Sequence, residues 1–308
     1  MRGRVLLAML IVVTCCAPWA LRADDRTQQL VAILSREADA FRKIAPDLVG
    51  QETLYQRAEK PPKGGFRIRV GAAAQKPREP VWQERRILSE YSFALFGGEG
   101  STGKGGVMHE LRRVTEVDGR MLQDPRKAQD ELAAIVTASD DKRKRELLEQ
   151  FEKYGLVGAV TDFGQLLLLF TSSDILHYEF TYRRTENQGA AHLLVFGYQQ
   201  IDGPEGLTVI TAQRDARRGE SAQNVRIGGE VWVRENNFVP VRITLATGQE
   251  EVHEEASVDY AMSPFGVLLP FWTEHRELRG GKVVAENKFS YTDFHKFDAT
   301  SQLKFDSK

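Results

Sequence analysis

Between Leu48 and Phe294 the chain returns again and again to a two-residue period, in short runs where apolar and polar residues alternate. Each run is bounded by Pro-, Gly- or Lys-rich turns, as at 60–65, 71–80 and 97–106. Alternation of this kind gives a strand one core face and one wet face, so the chain must build an antiparallel sheet rather than a helical bundle. Strands are expected over Leu48–Arg57, Phe66–Val70, Val81–Phe96 and His109–Val117. They resume over Ile175–Arg184, His192–Gln200, Leu207–Ala212, Gly229–Arg234, Val239–Leu245, Val252–Tyr260, Phe271–Leu278 and Val283–Phe294. Gly280-Gly281 between two such runs signals a hairpin, and Asn236-Asn237 suits positive backbone angles. Roughly a dozen strands with no longer repeat point to one large, curved antiparallel sheet, an incomplete barrel, of the α+β class.

Two stretches depart from that period. From Asp24 to Ala45, Leu30, Val31, Ile33, Leu34, Ala38, Phe41 and Ile44 recur at three- and four-residue spacing, an amphipathic helix stopped by Pro46. Asp124-Pro125 opens a second helical region, about 124–170, in which Leu132, Ile135 and Val136 and then Leu147, Leu148, Phe151 and Tyr154 share faces. Leu156–Phe170 reads as a third, largely buried helix. The expected organisation is a signal at 1–23 followed by a single β-rich domain over 24–308, with the helical insert at 124–170.

The signal reading rests on Arg2 and Arg4 ahead of the apolar run Val5–Thr14, which is far short of the roughly 20 residues a membrane-spanning helix needs. Cleavage after Ala23 would leave a mildly acidic chain exported to the periplasm or the outer-membrane periphery. Cys15 and Cys16 stand where a lipoprotein signal carries its acylated cysteine, although Val12-Val13-Thr14 is only a partial match; the alternative is that both thiols leave with the signal. They are the only two cysteines, so the body would rely on its core rather than on disulfides. No later apolar run reaches membrane-spanning length. Lys and Arg (42) balance Asp and Glu (43) and are interspersed, which excludes an electrostatic footprint for nucleic acid.

Motifs with chemical meaning are weak. Gly98–Gly105 fits the spacing of a phosphate-binding loop, but Gly105 stands where Ser or Thr would hold magnesium, and the loop leads into a strand. Asp162-Phe163-Gly164 spells a kinase tripeptide without its companion signatures. The six histidines (109, 177, 192, 253, 275 and 295) are scattered, and none has the second histidine four residues on that a zinc helix requires. No G-x-S-x-G is present. Neither enzyme chemistry nor a metal or other cofactor is expected.

What remains is apolar. In their strand Val231 and Val233 face one way while Trp232 faces the other with Glu230 and Arg234, and Phe271 and Trp272 alternate likewise. A sheet with apolar residues on both faces must cover both or leave one as a binding surface.

The order of features from Gly229 onward adds to this: Gly-Glu-Val-Trp-Val-Arg-Glu-Asn-Asn-Phe-Val-Pro-Val-Arg-Ile, a strand ending Val258-Asp-Tyr260, then Leu269-Pro270-Phe-Trp, and a hairpin closing on Phe289–Phe297. Over about residues 170–305 the chain resembles the outer-membrane lipoprotein-carrier superfamily, the fold of periplasmic lipoprotein chaperones and sigma-factor regulatory proteins. The helical insert is longer than that pattern, and no lipoprotein-binding arginine matches by position. The resemblance implies a half-barrel with an apolar concave face, lidded by helices and able to accept acyl chains.

Together these readings give a binding protein for a hydrophobic ligand, a lipid or acyl chain, with Val231, Val233, Val241, Ile243, Phe271 and Phe289 lining either the cavity or the core. Burial alone would hold such a ligand, at about 25 cal/mol per Å² of apolar surface removed from water. The alternative is an envelope protein-interaction or sensing module with a filled core, recognised through the helix bearing Asp140–Glu146 and the loop 97–106. An extracellular hydrolase would need convergent carboxylates or a Ser/His pair.

Overall fold

The structure, a computed structural model, describes residues 17–60, 80–97, 106–138, 141–156, 163–189, 191–203, 207–211, 221–247 and 252–297. The strand expected at Phe66–Val70, the Gly98–Gly105 motif, Asp162, Cys15 and Cys16 lie outside the described residues.

Helix α1 (Ala17–Ile44) leads through a 3-10 turn at Ala45–Asp47 into β1 (Leu48–Glu59). Next come β2 (Trp82–Phe96), β3 (Val107–Val117) and the two-residue β4 (Arg120–Met121). The helical insert follows, as α2 (Pro125–Thr137) and α3 (Asp141–Tyr154). At the start of α2 the Asp124 side chain accepts from Lys127 N, and Pro125 occupies the first turn, where its missing N–H costs nothing. Of the expected third helix, Leu156–Phe170, residues 157–162 lie outside the described residues, and its end is instead a 3-10 segment, Leu166–Phe170, in which four leucines and a phenylalanine are buried or half-buried by packing rather than presented on a helical face. A second 3-10 turn at Ile175–His177 replaces the expected start of the next strand.

The remaining strands are β5 (Tyr178–Gln188), β6 (Ala191–Gln200), β7 (Leu207–Thr211), β8 (Ser221–Val225) and β9 (Ile227–Arg234). They end with β10 (Pro240–Thr247), β11 (Val252–Met262), β12 (Leu268–Arg279) and β13 (Lys282–Lys296). Eleven of these strands form one sheet in the order β4-β3-β2-β1-β13-β12-β11-β10-β9-β6-β5, while β7 and β8 pair separately. All the pairings are antiparallel, and β4 and β5 are unjoined edges, so the sheet is curved but not closed. The hairpin at Gly280-Gly281 has positive φ at both residues (53° and 73°), as the two-residue turn requires. In the other marked turn the positive φ falls on Phe238 (57°) and not on the asparagines; Asn237 instead accepts from Val239 N through its side chain.

The inner face of the sheet carries the main core. Leu30, Leu34, Ala38 and Phe41 of α1 pack there with Phe163, Leu166, Leu167 and Phe170 and with inward residues of nearly every strand. The helix runs from β5, where Arg26 lies over Tyr182, to β2, where Phe41 meets Phe93 edge-on at 5.0 Å. On the outer face α2 and α3 form a smaller cluster, Leu132, Val136 and Leu147 against Val49, Ala94 and Leu111.

Candidate functional site

The inner face divides along the sheet. On β6, β9, β10 and β11 the inward residues Leu194, Phe196, Val231, Val233, Ile243, Leu245 and Val258 are all apolar and all buried. On β1, β3, β12 and β13 the inward positions carry Glu52, Gln56, Glu110, Arg112, Thr273, His275 and Asn287, and these are buried as well. The covering layer consists of α1 and residues 163–170, lying across the sheet as a strap, joined over Arg112 by Phe151 near the end of α3.

At the centre of the polar half, Arg112 Nε and Nη2 donate to Glu52 at 2.8 Å each, and Nη2 donates to Glu110 Oε2 at 2.5 Å. All three side chains are essentially sealed from solvent. The guanidinium lies 4.9 Å over the Phe151 ring and within 5.5 Å of Tyr91 and Phe289. Burial works against its charge, but Glu52 and Glu110 outweigh that cost and hold Arg112 well above its usual range. Burial pushes the Glu52 carboxyl up while Arg112 pulls it down. Tyr91 is raised first by burial and then by Glu110, and its hydroxyl is buried without a hydrogen-bond partner among the described residues.

The strap is fastened to the sheet by specific polar contacts. Tyr260 Oη donates to Gly164 O and accepts from Leu167 N, both at 3.0 Å. Gln165 Nε2 donates to Met108 O at 2.9 Å, and just past α3 Leu156 N donates to Gln56 Oε1 at 3.0 Å. Phe163 stacks on His275 with centroids 4.5 Å apart and an interplanar angle of 17°. Gly164 is required by close approach: a Cβ there would sit 2.5 Å from Glu110 Oε1 and 3.0 Å from Tyr91 Oη. The tripeptide 162–164, which lacks the companion signatures of a kinase, thus supplies two residues, Phe163 and Gly164, that seat the strap.

The six residues singled out from sequence fall on two faces. Val231, Val233, Ile243 and Phe289 are buried in the inner core. Val241 and Phe271 line a groove of about 490 Å³ on the outer face, together with Trp232, Arg242, Asp259 and Met262. Phe271 is there because the β11–β12 register jumps from Asp259↔Trp272 to Tyr260↔Pro270, so Phe271 is a bulged residue outside the alternation and is 48% exposed. On the α3 surface Lys144 is buried, donating to Leu95 O at 2.9 Å, so that helix presents less charge than its sequence indicates. The sequence reading missed the inward polar set. Its signal was Glu52, Gln56, Glu110 and Arg112 occupying the apolar phase of alternating strands.

Among the described residues no helix is long and apolar enough to cross a membrane, and no cluster of His, Cys, Asp or Glu is arranged to hold a metal. No protein-family profile matches the chain, and no curated protein matches it. Three solved structures are similar in fold. A domain named for outer membrane lipoprotein sorting, from Vibrio parahaemolyticus, has 9% identity over 88% of this chain and 97% of its own, with a TM-score of 0.32. A LolA superfamily protein from Nitrosomonas europaea has 11% identity over 89% and 96%, with a TM-score of 0.33. A DUF1329 family protein from Desulfovibrio piger has 8% identity over 87% and 94%, with a TM-score of 0.35. Two of these names belong to the lipoprotein-carrier group that the residues from Gly229 onward resemble.

Proposed function

We propose that the protein is an exported, non-enzymatic carrier that holds an apolar chain, of lipid or lipoprotein-acyl type, on the inner face of its sheet beneath α1 and the 163–170 strap. The observation that carries this reading is the seam between the two layers. On β6, β9, β10 and β11 it is lined mainly by apolar side chains, with Gln200, Thr247 and Glu254 as buried polar residues on the same strands, and the strap above it is fastened at a few polar points. Side chains fill that seam in the closed form. Parting the layers around an acyl chain exchanges one set of apolar contacts for another, and each ligand CH2 taken from water contributes about 0.8 kcal/mol. Loading and release then need no covalent step. The Val5–Thr14 run and its arginines support placing the carrier in the periplasm or at the outer-membrane periphery.

A second reading is favoured by the outer groove, where Phe271 (48% exposed) and Met262 (53%) lie open beside Trp232. Here the inner core stays filled and the protein acts by binding an envelope protein. Organic extraction and mass spectrometry of protein purified from a periplasmic fraction without detergent separates the two. Stoichiometric fatty acid or phospholipid is the result expected of the carrier; a lipid-free, stable protein that takes up no added fatty acid would overturn it.

A further inference from the structure

A chain of buried hydrogen bonds crosses four strands and ends at Leu156, just past α3, and all its members point the same way. Leu156 N donates to Gln56 Oε1 at 3.0 Å, and Gln56 Nε2 donates to Asn287 Oδ1 at 2.9 Å. Asn287 Nδ2 meets His275 Nδ1 at 3.0 Å, and His275 Nε2 meets Glu254 Oε2 at 2.6 Å. The backbone N–H at one end can only donate, and an ionised carboxylate at the other can only accept. Both amides and the imidazole are therefore locked in one orientation, with His275 neutral and its proton on Nε2. Gln56, Asn287 and His275 are all at least 97% buried, so no solvent partner stands in if one link reverses.

From this geometry we infer that protonation of His275 frees the Leu156 N–H, just past the end of α3, by reversing the polarity of the chain. A proton on Nδ1 turns an acceptor into a donor. Asn287 must then rotate its amide to present Oδ1, which turns its Nδ2 toward Gln56. Gln56 rotates in turn, and its Nε2 faces the Leu156 N–H, donor against donor. The Leu156 fastening is lost, while the Tyr260 contacts to Gly164 and Leu167 stand, and Phe163 still stacks on the imidazolium. Release is thus confined to the Leu156 end. The charged groups facing His275 are Glu254 on β11 and Glu277 two residues along β12, the latter already engaged by Arg279. Neither β13, which offers Asn287, nor Phe163 on the strap brings a charge to it. Tyr291, Glu52 and Arg112 lie further along the same face. The inference rests on the carrier reading for its biological use, since it loosens the polar side of the inner face as pH falls, but the switch itself needs no ligand.

The test is amide hydrogen exchange at Leu156, read by NMR on ligand-free protein at about pH 8 and about pH 5 and corrected for the intrinsic pH dependence of exchange. Wild type should lose protection at least about tenfold on going to the lower pH. His275→Gln should abolish that dependence, and Gln56→Leu should leave Leu156 poorly protected at both values. An unchanged wild-type protection factor, or an undiminished pH dependence in His275→Gln, would overturn the inference. Should His275→Gln not fold, nitrogen spectroscopy of the wild-type imidazole decides: a neutral ring protonated at Nε2 near pH 8 supports the polarity, and one protonated at Nδ1 overturns it. Because these readouts use no lipid, a pH-dependent Leu156 in a protein that binds no fatty acid would sink the carrier reading and leave the switch standing.

Discussion

The two halves of the inner face are equally buried yet held together by different physics. On β6, β9, β10 and β11 most contacts are among Leu, Val, Ile and Phe, non-directional and replaceable by any apolar partner, with Tyr260 and Glu254 of β11 the directional exceptions. On β1, β3, β12 and β13 the central buried groups depend on named neighbours: Arg112 on Glu52 and Glu110, His275 on Glu254 and Asn287. An apolar seam can open and reseal around a ligand at little cost. A buried ion pair cannot, because each separated charge bears its full desolvation penalty. The ion-paired half is therefore the harder to part, which on the proposed carrier reading leaves the apolar half as the place where the layers separate around a ligand.

Arg112→Ala probes the ion-paired half most harshly. It strands two buried carboxylates and should cost about 3–5 kcal/mol in urea unfolding, enough to unfold a marginal domain. Replacing Glu52, Glu110 and Arg112 together by leucine or methionine should be far milder, and a harsh triple variant would break the comparison. In the apolar half Leu194→Ala should cost about 3 kcal/mol as a cavity, with no dependence on pH between about 5 and 8. Glu90, outside both halves, sharpens the contrast in pH dependence. Burial, opposed by His295 and assisted by Asp293, lifts its carboxyl to about 7, above the ordinary 4.5. The folded state then keeps a proton that the unfolded chain releases, so stability falls as pH rises from about 4.5 to about 7. Glu90→Gln should flatten that fall, seen as converging urea midpoints at pH 5 and pH 8. Smallest of all, Phe271→Ala in the outer groove should change stability by no more than about 0.5 kcal/mol.

Much of the frame was legible because it rests on period. Alternation located β1, β2, β3, β6 and β9–β13, and Asp124-Pro125 marked the start of α2. The strap was not legible. Leu166–Phe170 has the composition of a buried helix, and only tertiary contact decides that it lies as a 3-10 segment across a sheet. Phe271 was misplaced in the alternation for a related reason, since a bulge leaves no trace in a single strand's own residues. The inward polar set was written in the sequence as Glu52, Gln56, Glu110 and Arg112 in the apolar phase, but which partners would neutralise them depended on the register of strands as far apart as β1 and β13.

Photo-crosslinking with a diazirine-bearing palmitate, followed by mass-spectrometric mapping, tests the central claim most directly. The account predicts labels on inner-face residues of the apolar half, such as Phe196, Val231 and Ile243, and on Leu167 of the strap. Labels confined to Trp232, Met262 and Phe271 in the outer groove, or no labelling at all, would contradict it.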